Sequence, residues 1–455
     1  MNRYLTSSIF TGWAMLLGIV VYGQESAILD QYVNQALSNN LSFRSISLQE
    51  SRQASKVEQA KKQWQPNVDL NATYLTAEGG RVLLFPIGDL LNPAYGTLNQ
   101  LTGTNQFPTE IDNAEIQLTP NNFIDANLTI TKPILNSAIK YNIEIQKALL
   151  QLSEVDRQLQ RSQLTYQVKQ AYYNYLKAEQ GLKVLAQNLS LLDDVLAFNK
   201  KLIKYDKATP DVISDVVYQS SLLNSQIEGL KEQQALSKIL FNTLLNQDLD
   251  AEIIIDTMLY ADQLRKVYDF DKITAKALAQ RPEFKQLAIS DEVNQLNEKR
   301  INKSNQPTIG LRGGLGMQVQ EFTFDDGGPL YTLGLNLGWK IWDGGLRKRK
   351  LEEVKINIEE NQIQTQIARQ QITLEVAQAY YNLRSLYTKL DAEEAAITAA
   401  QTSYDAIDKR YRNDRALLIE LLSAQSRLTS SQLNKVLVGI DILIAEADIR
   451  RITNE

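Results

Sequence analysis

The residue types that carry most enzymatic chemistry are absent from this chain. Its 455 residues include no histidine and no cysteine. That removes imidazole and thiolate metal sites, disulfides, and Ser/His or Cys/His nucleophiles together. Carboxylate pairs such as Glu393-Glu394 remain, but no partner beside them marks general acid–base catalysis. The chain is read as a non-enzyme with no cofactor. With 48 Lys+Arg against 53 Asp+Glu, no basic surface points to nucleic acid. The polar residues with legible spacing do something else. Asn67, Asp69, Asn71 and Thr73 alternate with Val68, Leu70, Ala72 and Tyr74, and Asp125, Asn127, Thr129 and Thr131 alternate with Ile124, Ala126, Leu128 and Ile130. Thr332, Gly334, Asn336, Gly338 and Lys340 likewise oppose Tyr331, Leu333, Leu335, Leu337, Trp339 and Ile341. The chemistry is partition, with one strand face for water and one for apolar surroundings.

Four strands are predicted, at about 66–75, 124–133, 307–320 and 330–342, and long helices position them. Gln65-Pro66 and Gln306-Pro307 each end a helix and start a strand, because a proline ring disfavours the helical state of the residue before it. Asn40 to Ser42 breaks the first helical stretch. Helices are expected at 137–203, 211–246, 345–411 and 415–452, the first about 100 Å long at 1.5 Å per residue. Two of them carry the same string, Gln170-Ala171-Tyr172-Tyr173-Asn174 and Gln378-Ala379-Tyr380-Tyr381-Asn382. After each string, apolar residues recur at alternating steps of three and four, from Leu182 to Ile203 and from Leu383 to Tyr411, with Asn199 and Glu393 as polar exceptions. That is a heptad seam, and core packing is its function. Each half therefore reads helix, strand, loop, strand, long helix, turn, returning helix. The segment 75–123, rich in Gly, Pro, Asn and Thr, reads as one long loop with a short helix. Ile253-Ile254-Ile255 suggests a small element in a connector, and the turn Asp325-Asp326-Gly327-Gly328-Pro329 joins the last two strands.

At the amino terminus, Arg3 and the apolar stretch from Ile9 to Val21 read as a secretory signal peptide cleaved after Gly23. The stretch falls short of the ~20 residues of a membrane anchor, the other reading. No later stretch is read as a transmembrane helix. The division is signal peptide 1–23, first repeat 24–247, connector 248–271 and second repeat 272–455. Four strands cannot close a barrel with a lumen, and open sheet edges are not tolerated in lipid. Three chains would supply twelve strands. In that barrel Leu70, Tyr74, Leu128, Ile130, Leu333, Leu335, Leu337 and Trp339 face outer-membrane lipid, while Asn71, Asn127, Thr129, Asn336 and Lys340 face the lumen. An ordinary soluble sheet would show the same alternation; the signal peptide and Trp339/Trp342 favour the membrane.

The duplicated plan, the two Gln-Pro junctions, Arg281-Pro282-Glu283, the paired strings and the turns from Tyr205 to Gln219 and from Tyr411 to Gln425 together resemble the TolC-like outer-membrane efflux protein family, over nearly the whole mature chain. The resemblance implies a homotrimer with a twelve-stranded barrel in the outer membrane and a tunnel of coiled-coil helices in the periplasm. It also implies two partners, a periplasmic adaptor (membrane fusion) protein and an inner-membrane pump. The expected function is the exit duct of a tripartite efflux or type I secretion system; a non-transporting periplasmic coiled-coil spacer or adaptor is the alternative. In the family the turn between the long and returning helices closes the tunnel's periplasmic end, with a ring of carboxylates on the second repeat. Glu420 stands at one such position and Ser423 where a second carboxylate often stands. In the first repeat Ser214 takes the matching position, with Asp215 and Asp211 beside it. Asp414 and Ala208 replace the glycine common in these turns, and aspartate adopts a turn conformation more easily than alanine. Tyr411 and Arg415 are expected to hold the closed turn. Glu420, Ser423 and Arg427 also form a polar stripe opposite Leu418, Leu421 and Leu422, the pattern of a plain solvated face.

Overall fold

The computed structural model describes residues 27–119, 121–256, 265–320 and 329–455. The signal peptide read at 1–23 and the turn residues Asp325–Gly328 lie outside them. In chain order the elements are α1 (Ala27–Asn39), α2 (Leu41–Lys62), β1 (Asn67–Leu75), β2 (Val82–Phe85), α3 (Ile87–Thr102), β3 (Ala114–Gln117), β4 (Phe123–Leu135) and α4 (Ser137–Lys204). They continue as α5 (Asp211–Leu245), α6 (Phe270–Gln280), α7 (Pro282–Asn302), β5 (Thr308–Gln320), β6 (Pro329–Gly338), α8 (Leu346–Arg412) and α9 (Leu418–Ile452). The four long helices have 68, 35, 67 and 35 residues. Both Gln-Pro junctions sit between a helix and a strand, as expected. The break between α1 and α2 is made by Asn40, whose Oδ1 accepts from the Phe43 N–H at 3.0 Å while its Nδ2 donates to the Leu244 carbonyl at 2.9 Å. Such a side chain serves the orphan donors of a helix start.

The chain forms two compact units, each drawing on both halves of the sequence. One comprises Glu50–Ser153 and Leu287–Gln364 and holds the strands. Its main sheet is antiparallel in the order β1-β4-β5-β6, so the first-half strands join the second-half strands through the β4–β5 ladder. The other unit runs up to Gln49 and adds Glu154–Gln286 and Thr365–Glu455. It is helical and carries three buried clusters. One gathers Leu29, Val33, Tyr172, Tyr173, Leu176, Phe241 and Ile440; a second gathers Ile273, Ala277, Ile372, Leu383, Ile442 and Ile449; a third gathers Leu185, Leu192, Val216, Leu418 and Leu421. Both heptad seams therefore feed the core, through Leu185 and Leu192 in the first and Leu383 and Leu386 in the second. The two Tyr-Tyr strings diverge in use, since Tyr173 is buried whereas Tyr381 is 58% exposed. On length and composition α9 is apolar enough to cross a membrane, against the expectation that no such helix follows the signal sequence. Its apolar residues Leu421, Ile440 and Ile442 instead lie one in each helical core.

Four sequence expectations need correction. The segment 75–123 holds, besides the helix expected there (α3), the strands β2 and β3, which pair with each other, so it is not a loop around one helix. Its asparagines, which look like loop composition, act as clasps: Asn92 and Ile111 exchange two hydrogen bonds, at 2.9 and 2.8 Å, as do Asn99 and Phe107, at 2.8 and 3.0 Å. The last strand ends at Gly338, so Trp339, Lys340, Ile341 and Trp342 lie beyond it; β5 begins at Thr308, the partner of Gly338, and offers nothing further to pair with. The last helix starts at Leu418 rather than at 415, because Asp414 is left-handed (φ 62°) and Leu417 is extended (φ −84°, ψ 150°). Finally, the run Ile253-Ile254-Ile255 has no helix or strand, although Ile253 is buried, and the helix α6 was missed. Its start is capped by Asp269, which accepts from the N–H groups of Asp271 and Lys272.

Candidate functional site

Two features of the chain, taken separately, can do work: the faces of the sheet and the turns between long helices.

Side chains of directly opposed residues in an antiparallel sheet share a face. The register therefore shows whether the alternation of each strand lines up across all four. It does. Leu70, Leu128, Leu315 and Tyr331 are mutually opposed, as are Val68, Ile130, Gly313 and Leu333. Leu311 lies opposite Leu335, Ile309 opposite Leu337, and Tyr74 opposite Ile124. Lys132, opposite Leu311 near the end of β4, is the charged exception. This apolar face is open, with Leu70 and Leu335 both 73% exposed. The Tyr74 hydroxyl donates to Asn122 Oδ1 at 2.8 Å, tying the end of β1 to the start of β4.

The opposite face is polar in the same continuous way. Asn71, Asn127 and Gly316 form one rung, Asp69, Thr129, Gly314 and Thr332 another, and Asn336 lies opposite Gly310. Leu330, opposite Gly316, and the opposed pair Leu75 and Phe123 at the strand ends are its apolar exceptions. Along β4, Thr129 Oγ1 donates to Asn127 Oδ1 and Asn127 Nδ2 donates to Asp125 Oδ1, both at 3.4 Å. Register also adds Arg312 to this face, opposite Thr131 and Gly334. The sequence alternation missed it because glycines on both sides blur the period. A side chain at Gly314 would meet Thr332 Oγ1 at 2.7 Å, so the glycine admits its neighbour's polar group. Of the residues assigned to the two faces, Trp339 and Lys340 fall outside the strands. The Trp339 Nε1–H donates to the Asn305 carbonyl at 2.9 Å while its ring stays open, the amphipathic habit of tryptophan at a membrane boundary. The outer edges of β1 and β6 have no strand partner among the described residues.

The turns form the second feature. After α8, Asp414 takes the left-handed conformation and the Arg415 N–H closes on the Arg410 carbonyl at 2.8 Å. After α4 the left-handed residue is Asp206 (φ 53°), two positions before Ala208, which explains how the first turn dispenses with glycine. The Tyr411 hydroxyl donates to Oδ1 of Asn199, which is fully buried, at 2.6 Å. Its ring packs 5.9 Å from that of Phe198, over which the Arg412 guanidinium sits at 5.6 Å. The ends of α4 and α8 are thereby joined. Burial pushes the Tyr411 phenol up, Asn199 works against this, and Asp414 adds to it. Arg412 is held above its ordinary value chiefly by its hydrogen bond to Asp408. Asn199 was visible in the sequence only as a polar break in the seam; its partner was not.

Glu420 is not a freely solvated carboxylate. Its Oε2 accepts from the Leu417 N–H at 3.1 Å and lies 3.7 Å from Arg410 Nη2. It thus serves an orphan donor in the first turn of α9, where a negative charge is also favoured by the helix dipole. Ser423 is half-buried; Arg415, Asp211, Ser214 and Asp215 are exposed, the last three in the first turns of α5. Tyr411, which reaches α4, and Glu420, which reaches α8, are thus aperture candidates that tie two elements together, and no group of side chains suited to a metal occurs among the described residues.

Comparison with known proteins agrees with this geometry. The family model "Outer membrane efflux protein" matches residues 273–455. Residues 273–455 belong to that family. Solved structures extend the likeness to nearly the whole chain. The outer membrane protein VceC from Vibrio cholerae is 14% identical with a TM-score of 0.71, covering 93% of this chain and 95% of its own. The outer membrane channel CmeC of Campylobacter jejuni is 15% identical (TM-score 0.72; 100% and 94%). The open state of the Neisseria gonorrhoeae outer membrane channel MtrE is 15% identical (TM-score 0.73; 94% and 88%). No curated protein matches by sequence. At these identities the structural likeness is one of fold, and with the family match it indicates outer-membrane localisation with the helical part in the periplasm. The resemblance to outer-membrane efflux proteins read from the sequence thus holds.

Proposed function

We propose that this chain is one protomer of an outer-membrane exit duct. Three copies close a twelve-stranded barrel, with the apolar faces toward lipid and the polar faces around a lumen. The helices of both repeats continue as a periplasmic tunnel. The duct passively conducts substrate delivered by a periplasmic adaptor and an inner-membrane pump, in a tripartite efflux or type I secretion system. The observation that carries this reading is the sheet itself, with two opposite faces in register across all four strands and both outer edges unpaired among the described residues. Lipid accepts such a sheet only when it is closed. Detergent extraction of outer membranes should yield a trimer by mass that opens conducting pores in planar bilayers. A monomer recovered from the soluble periplasmic fraction, without pore activity, would make the protein a spacer or adaptor instead.

Orientation follows from the same reading, with β2, α3 and β3 on the extracellular side. Because the chain has no cysteine, Gln100→Cys in α3 introduces a unique and exposed thiol. It should react with a membrane-impermeant maleimide on intact cells. Labelling only after the outer membrane is broken would reverse the assignment.

Glu420 is placed near the tunnel's periplasmic entrance, where threefold symmetry would set three carboxylates close together and favour cations over anions. Since this carboxylate also caps α9, the informative variant is Glu420→Gln, which keeps an acceptor for the Leu417 N–H and removes the charge. Single-channel recordings should show weaker cation preference and weaker block by divalent ions, with the trimer intact. Unchanged selectivity and block would leave Glu420 a capping residue alone.

A further inference from the structure

The element between β1 and β4 is folded with its polar side inward. On α3, Asp89, Asn92, Gly96 and Asn99 recur at steps of three and four and so share one face. That face is occupied by its own chain. Besides the Asn92 and Asn99 clasps, Asn113 Nδ2 donates to Asp89 Oδ2 at 3.0 Å and the Asp89 N–H donates to Asn113 Oδ1 at 3.1 Å. The opposite face carries Ile87, Leu90, Ala94, Leu98 and Leu101 at the same alternation. It is uncovered, with Leu90 72% and Leu101 79% exposed. Just before it in the chain every residue of the paired strand β2, Val-Leu-Leu-Phe, is exposed as well. An uncovered apolar helix face of this kind marks a contact. Steps of three and four are the spacing by which helices bury a seam against other helices.

The occupant follows from charge and attachment. A helix lying on a membrane turns a basic polar face to anionic headgroups, but Ile87–Thr102 has one aspartate and no lysine or arginine, and its polar face is already bonded to residues 107–113. A lipid surface does not fit. The element instead leaves the sheet directly after Leu75, the last residue of β1, whose outer edge awaits a strand. We infer that Ile87, Leu90, Ala94, Leu98 and Leu101 form a self-association seam by which the α3 helices of three copies pack on one another across the extracellular mouth. The inference rests on the trimeric reading above, because the symmetry that pairs β1 with a neighbour's β6 also gathers the three attached elements.

The absence of native cysteine makes the test direct. Leu90→Cys and Leu101→Cys are made singly on the full chain, the trimer is measured first by mass in detergent without oxidant, and the membranes are then oxidised. The expected result is a covalent dimer from either variant, limited to one disulfide per trimer because each chain brings one thiol. Gln100→Cys, exposed but off the stripe, should remain monomeric on a denaturing gel while still reacting with maleimide. An intact trimer in which Leu90→Cys and Leu101→Cys cross-link no better than Gln100→Cys overturns the seam and leaves the exit-duct reading standing. A fluorophore attached to the thiol of the Leu90→Cys variant and quenched by brominated lipid in an intact trimer also overturns it, in favour of the membrane. Loss of the trimer in the unsubstituted protein overturns the exit-duct reading and the seam with it.

Discussion

Leu335→Arg is expected to reach the outer membrane as a trimer far less often than the parent protein, whereas Asn336→Arg assembles normally. The two positions are adjacent on β6 and differ only in face. Leu335 lies opposite Leu311 on the open apolar side, where Lys132, on the far side of Leu311, already supplies one cation that a second would repel, and Asn336 lies opposite Gly310 on the polar side. A cation on the lipid face of a barrel costs about 2–4 kcal/mol near the bilayer midplane, and a trimer carries it three times. The same cation in a water-filled lumen keeps its hydration, and the polar face already carries Arg312. Heat-stable trimer in outer-membrane fractions, quantified on semi-native gels, is the readout. Equal amounts from the two variants would mean that the faces are assigned wrongly.

The second large effect is expected at Arg281, whose side chain is 8% exposed in the helical unit. Its Nη2 lies 2.8 Å from Glu283 Oε1 and 2.8 Å from Glu375 Oε2. Glu375 in turn receives Arg451 Nη2 at 2.6 Å, and that group also meets Asp448 at 2.7 Å. The network ties the start of α7 to α8 and to the end of α9. Removing one partner of a buried ion pair costs about 3–5 kcal/mol because the remaining charge stays desolvated. Glu283 and Glu375 keep some contact with water, at 26% and 32% exposure, and Glu375 keeps Arg451, so the effect falls below that range. Arg281→Ala should therefore destabilise the purified protein by about 2 kcal/mol, read as a lower denaturant midpoint with an unchanged slope. A loss of less than about 1 kcal/mol would mark the network as an ordinary surface ion pair.

Arg281 illustrates how the sequence and the fold divide the information. Arg281-Pro282-Glu283 announces a helix start by local chemistry, since proline suits the first helical position, and α7 begins at Pro282. That Arg281 meets Glu375 depends on a contact between residues 94 positions apart, which no local period encodes. The strands divide in the same way. A period of two assigns Leu70 and Asn71 to opposite faces wherever the strand lies. Pairing of β4 with β5, which makes one sheet from two halves and brings Arg312 into the polar face, is decided by tertiary contact.

The sequence by itself determined the absence of histidine and cysteine chemistry, the strand faces, the seams and the helix ends marked by proline. Each of these is a property of neighbouring residues obeying a fixed backbone geometry. Only the tertiary structure decided that Asn199 receives the Tyr411 hydroxyl, that Glu420 caps α9, and that the polar residues of 75–123 clasp their own backbone while the leucines turn outward. A polar side chain is satisfied by whichever partner the fold brings within about 3 Å. Its type records the need for that partner, and only the folded chain supplies one.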